Sequence, residues 1–242
     1  MKVFNGRQFS ILSERYFECL LGDASSFVWM IGQAPIIAFL IILRWKSYQA
    51  TDTLYFVMVL SVIWFGCINA CREIARERSI VKREQLYGLN MPAYLFSKVK
   101  VLSIVGLIEI TLFYFILRYN LSLNVSGALA YIALFFMYFS GMSLGLLLSE
   151  FCGSVSKAVI SVPVAILPQI VFSQFVLPSS TLKGVAKTIE KLMVAKWGFK
   201  AMSASVKGNI VFGEYSSSLL VLTGLGVLFL LLTLVHLSLS SR

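Results

Sequence analysis

Histidine is almost missing from these 242 residues; there is one, His236, close to the C-terminus. A Ser/His/Asp or Cys/His catalytic set needs a histidine beside its nucleophile, and no paired carboxylates at a usable spacing stand in for it. An intramembrane enzyme therefore has little to work with. The four cysteines, Cys19, Cys67, Cys71 and Cys152, include no CxxC pair, which argues against a disulfide framework and a zinc site. The GxxxxGK[ST] phosphate loop is absent, so nothing in this sequence binds ATP in the usual way. Charge is scarce too: Asp, Glu, Lys and Arg make up 13% of the chain, roughly half of what a soluble domain carries.

Apolar residues fill the space, at 58% of the sequence with a mean hydropathy of +0.85. A bilayer core about 30 Å thick takes roughly 20 apolar residues per helical crossing. Six such runs can be read, at about 27–43, 53–71, 99–117, 127–148, 158–177 and 219–239. Pro35 predicts a kink in the first, and Pro163 with Pro168 predict a bent or broken fifth. The expected fold is all-α and integral to the membrane. The net charge of +10 lies in loops between these runs, where lipid head groups and the positive-inside rule account for it without nucleic acid.

Ahead of the first span, within residues 1–26, Phe9, Leu12, Tyr16 and Leu20 share one helical face and Arg7, Glu14, Arg15 and Glu18 fall largely elsewhere. That pattern predicts an amphipathic helix lying on the membrane. The charges in this stretch do not suit a cleavable signal. Residues 72–98 are densely charged, with Ile74 and Val81 seven apart and Ile80 and Tyr87 also seven apart, so one apolar stripe can face protein. Gly88 supplies a helix stop, and Asn90 with Pro92 a new start. A helical hairpin is expected there. Residues 178–217 hold too many lysines to span; Lys183, Lys187 and Lys191 are spaced by four, giving a basic face that can attract an anionic substrate or lipid.

With six spans both termini share a side, which carries 12 of the lysines and arginines against nine opposite. Arg72, Arg76, Arg78 and Arg83 crowd the ends of spans two and three, which predicts cytoplasmic termini.

The hairpin sequence REIARERSIVKREQLYGLNMPAYLFSK resembles the coupling region of the ABC transporter G (white) subfamily and its bacterial relatives, the type-2 ABC exporters. The matching positions are Glu77 and Arg78, Arg83 and Glu84, Gly88, Ala93 and Tyr94, and Lys98. The resemblance implies an exporter permease in a bacterial inner (plasma) membrane that pairs with a second permease, either its own copy or a related half. It also implies a separate ABC ATPase subunit carrying ATP and Mg, and an external re-entrant segment at 178–217. Glu73, Arg76, Glu77, Arg78, Arg83, Glu84 and Gly88 would form the ATPase-coupling region. Spans two and five would line the dimer axis, so Phe56, Trp64, Phe65, Phe172 and Phe175 would border a path for a hydrophobic or amphipathic substrate: lipid, glycolipid, peptide or drug.

Other features stand apart from the resemblance. Glu109 falls mid-span, where an ionised carboxylate costs about 3 kcal/mol; it is either a functional residue of the substrate path or hydrogen-bonded through groups such as Ser103 or Thr111. His236 reads as snorkelling to the interface. Gly141 and Gly145 in GMSLG allow close helix packing. Two rival functions remain open, a non-transporting membrane scaffold and a proton-coupled transporter working through Glu109.

Overall fold

The computed structural model describes residues 4–48, 50–173, 175, 184–208 and 210–239. These form ten helices: α1 (Gly6–Gly22), α2 (Ala24–Trp45), α3 (Asp52–Ala70), α4 (Glu73–Leu86), α5 (Met91–Asn120), α6 (Gly127–Cys152), α7 (Val155–Val171), α8 (Val185–Leu192), α9 (Val194–Ala204) and α10 (Phe212–Leu239). Five helical stretches are long and apolar enough to cross a membrane, beginning at Ala24, Asp52, Met91, Gly127 and Phe212, and α7 is a shorter apolar helix. At about 1.5 Å per residue, the 17 residues of α7 reach less than the bilayer core. Its expected continuation to Leu177 lies outside the described residues.

Pro163 and Pro168 both lie inside α7, which runs unbroken from Val155 to Val171; each removes one amide donor from the helix, and of the bent or broken span expected, the break does not occur. Pro35 likewise sits inside an uninterrupted α2. Two helix ends do follow from local chemistry. Gly88 (φ 94°) closes α4 and Gly153 (φ 68°) closes α6, in the left-handed region that side chains with a Cβ avoid.

The centre of the bundle is α3 against α6. A Cβ on Gly141 would press on the Ile63 backbone, one on Gly145 on the Cys67 carbonyl, and one on Gly66 on the Tyr138 carbonyl. Small residues from both helices thus permit a backbone-to-backbone approach, as GMSLG predicts. This makes α3 the most enclosed span. Beyond its first turn its partly open positions are Val57, Leu60, Trp64 and Ile68, a single stripe at helical spacing.

Helix α1 is the amphipathic N-terminal helix that the sequence predicts. Leu12, Tyr16 and Leu20 are buried against α5 and α2, so this stripe packs on protein. Helix α9 is also an inner element: Val194, Ala195, Gly198, Phe199, Ala201 and Met202 are buried against α3, α6 and α10. A bridge between Val125 and Val206, with Ser126 N donating to Ser205 O at 2.8 Å, ties the α5–α6 connection to the end of α9.

Candidate functional site

The charged hairpin begins with a turn at Cys71 and Arg72 that separates α3 from α4. The first orphan amides of α4, on Ile74 and Ala75, both donate to Ser149 Oγ of α6 at 3.0 Å, which substitutes for a local cap. At the far end, Asn90 N donates to Gln8 Oε1 of α1 at 2.9 Å. Ile74 and Val81 are buried while Ile80 is 40% and Tyr87 88% exposed, so the first of the two seven-residue stripes is the inward one.

Two of the hairpin's charges, Glu73 and Lys98, are buried. Lys98 is 1% exposed; its Nζ lies 2.6 Å from Glu77 Oε1 and 3.8 Å from Glu73 Oε2. The ammonium also stands 3.5 Å over the Tyr16 ring, and Tyr94 donates its hydroxyl to Glu77 Oε2 at 3.0 Å. Two carboxylates and an aromatic face are what makes a buried ammonium tolerable. Burial first, then the nearby Glu73 carboxylate, pushes the Tyr16 phenol well above its ordinary pKa, so it stays neutral.

Other predicted coupling residues are similarly occupied. Arg76 lies 3.5 Å from Glu73 and 4.0 Å from Asp23, although its side chain remains 43% exposed. Arg78 reaches the Glu150 carbonyl oxygen at 3.5 Å and lies beside Gly153. Glu84 accepts from Arg15 Nη1 at 2.7 Å. Arg83 is exposed, and its neighbours on the open tip are Lys82, Leu86 and Tyr87. Leu86, 86% exposed, escaped the sequence reading. The signal was present, since Leu86 stands five residues from Val81, about 140° round a helix with 3.6 residues per turn.

At the opposite end of α3, three of the predicted path residues meet. Phe56 and Phe175 have ring centroids 4.6 Å apart, Phe175 and Phe199 5.1 Å, and Phe56 and Phe199 6.4 Å. With Phe172 they line a cavity of about 270 Å³ between α3, the end of α7 and α9. Phe199 was not anticipated, because nothing in the sequence places α9 against α3. Trp64 sits on the open stripe of α3, away from this cavity. Phe65 does not line it either: it is fully buried, packed edge-on to Phe113 at 5.4 Å.

The sequence model of the ABC-2 type transporter family matches residues 7–206. The chain belongs to that family. An ABC transporter ATP-binding/permease protein of Mycobacterium tuberculosis (strain ATCC 25618 / H37Rv) is similar, at 26% identity over 155 residues, which are 61% of this chain and 18% of that protein. The chain thus covers less than a fifth of that relative's length.

Two further polar sites lie within this ABC-2 type permease, an integral multi-pass membrane subunit. Glu109 is fully buried and accepts from Gln33 Nε2 at 2.8 Å and Asn69 Nδ2 at 2.6 Å. Gln33 also donates to Asn69 Oδ1 at 2.9 Å, and Tyr138 donates its hydroxyl to the Leu102 carbonyl at 3.1 Å beside them. Helices α2, α3, α5 and α6 are joined there. Ser103 and Thr111, the expected partners, are engaged elsewhere: Thr111 donates to the Leu107 carbonyl of its own helix and Ser103 faces Met142. His236 is held at 2.9 Å from Glu150 Oε1 and stacked on Phe151 at 4.4 Å, an anchored side chain where snorkelling was expected. Lys187 and Lys191 are exposed on α8; Lys183 lies outside the described residues.

Proposed function

We propose that the chain is the permease half of an ATP-driven exporter for a hydrophobic or amphipathic substrate. The carrying observation is the contrast within α4. Glu73, Glu77, Arg78 and Glu84 are engaged with the rest of the chain, whereas Lys82, Arg83, Leu86 and Tyr87 are presented at the tip with no structural task visible among the described residues. A firmly backed helix with a basic and apolar tip suits docking into a groove on an ATPase whose closure tilts the spans. ATP and Mg would bind on that ATPase, as a separate subunit or a fused domain.

The tip lies on the side richer in lysine and arginine, which favours a cytoplasmic position for it and for both termini, in a bacterial inner membrane. A second copy would pair along the open stripe of α3, including Trp64, and the outward face of α7, where Ile160, Val164 and Leu167 are exposed. Phe56, Phe172 and Phe175 would then border the substrate path, with Phe65 and Glu109 serving as packing and polar anchors.

The test is co-purification with a candidate ABC ATPase in mild detergent, comparing wild type with Arg83→Glu/Tyr87→Ala. Retention by wild type and loss from the variant supports the reading. Failure of the ATPase to associate with either protein overturns it and brings the scaffold forward.

A further inference from the structure

The cavity beside Phe56 joins apolar walls to a cationic rim. Ala195, Lys196, Phe199, Lys200 and Ser203 all line it from α9; their spacing of one, four, five and eight residues puts them on one helical face. Phe56, Phe175 and Phe199 supply rings in tilted and edge-on contact, and Lys196 and Lys200 follow one another by a single turn. Ser173 is 6% exposed and lines the same cavity. Its Oγ is buried with no hydrogen-bond partner, in a structure where buried hydroxyls are ordinarily satisfied.

The lining itself carries two lysines against one carboxylate. Glu190 lies 3.1 Å from Lys196 and also faces the cavity. Lys200 has Glu214 at 3.7 Å, and that carboxylate is 55% exposed, so solvent weakens the pair. Both lysines lie on the side opposite the α4 tip, where the positive-inside rule disfavours lysine. Such a concentration needs a local cause, and an anionic ligand provides one.

Resting on the reading that these phenylalanines border the substrate path, we propose that the cavity binds an anionic amphiphile carrying a phosphate-type head group. The head lies on Lys196 and Lys200 with Ser173 Oγ donating to it, and the first part of the chain lies among Phe56, Phe175 and Phe199. A volume of about 270 Å³ is at the small end for ligand pockets, so the cavity holds the head and adjoining methylenes, with the remaining chain extending into the bilayer.

The test is native mass spectrometry of the full chain in neutral detergent, titrated separately with 1-oleoyl lysophosphatidate, 1-oleoyl lysophosphatidylcholine and inorganic phosphate. Lysophosphatidate is expected to bind at least tenfold more tightly than the choline lipid. Lys196→Gln/Lys200→Gln and Phe199→Ala should each weaken it at least tenfold, and Lys187→Gln/Lys191→Gln by less than twofold. Lys200→Gln alone serves if the double variant does not fold. Equal binding of both lysolipids, or indifference to the Lys200 and Phe199 changes, overturns the proposal. Competition by millimolar phosphate as strong as by the lipid overturns its amphiphile part. No ATPase is present, so these outcomes are independent of the co-purification that tests the exporter reading.

Discussion

The Lys98 ammonium lies 2.6 Å from the Glu77 carboxylate across the α4–α5 corner, and the lysine is 1% exposed. Removing one partner of such a pair leaves the other buried without its counter-charge, which is far worse than never having had the pair.

Lys98→Met is therefore expected to destabilise the protein by about 3–5 kcal/mol, read as an earlier thermal transition in detergent. Adding Glu77→Gln to Lys98→Met should recover part of the loss, because the two residues are in contact and their effects do not add. Purely additive losses would mean the pair contributes nothing.

The pair between Arg15 and Glu84, at 2.7 Å, is different in kind because both side chains meet solvent, at 44% and 30%. Its hydrogen bond to Glu84 raises the Arg15 pKa, yet screening leaves exposed pairs with about 0–1 kcal/mol. Arg15→Ala should shift the melting transition little, and a drop as large as that of Lys98→Met would contradict this account.

On the central interface, Gly141→Ala and Gly145→Ala should each cost about 1–3 kcal/mol by overpacking, since the new methyl meets α3 backbone that cannot move aside alone. Gly224→Ala, with nothing within 4 Å of its would-be Cβ, should be neutral or slightly stabilising. Equal melting behaviour for all three would remove close approach as the reason for these glycines.

Glu109→Gln should fold and retain ATP-driven transport, because the amides of Gln33 and Asn69 can turn to offer either donor or acceptor. Glu109→Leu removes the acceptor shared by both amides, leaving them little beyond their bond to each other, and should cost about 1–3 kcal/mol. Transport that persists without ATP and is lost in Glu109→Gln would identify the proton-driven alternative.

Leu86→Ala and Tyr87→Ala, at 86% and 88% exposed positions, should leave stability within about 0.5 kcal/mol while weakening ATPase capture. A pull-down unaffected by either change would move the docking surface away from the tip.

Features that depend on period or on a single residue's conformational limits were legible in the sequence. The inward stripe of α1 is present at Leu12, Tyr16 and Leu20, Gly88 ends α4, and the glycines of α6 meet a backbone. What lay beyond reading was the identity of distant partners. Glu109 finds Gln33 76 residues away and Asn69 40 away, a pairing set by how helices are ordered in space. Likewise α1 could have laid its apolar face on lipid as well as on α5, because both are apolar solvents for the same stripe. Phe199 joined the aromatic cavity only because α9 folds inward, and its lysines made it resemble a surface segment.

Ser149 holds the start of α4 through two amides, Gln8 holds the turn at Asn90, and Lys98 grips the middle. The hairpin is thus tied to the rest of the chain at three points, two on α4 and one at the start of α5. On the proposed exporter reading, a load on its tip would reach α1, α5 and α6 through these contacts together. Loosening one tie, for example by Ser149→Ala, would then introduce backlash: nucleotide hydrolysis continuing while the spans lag behind.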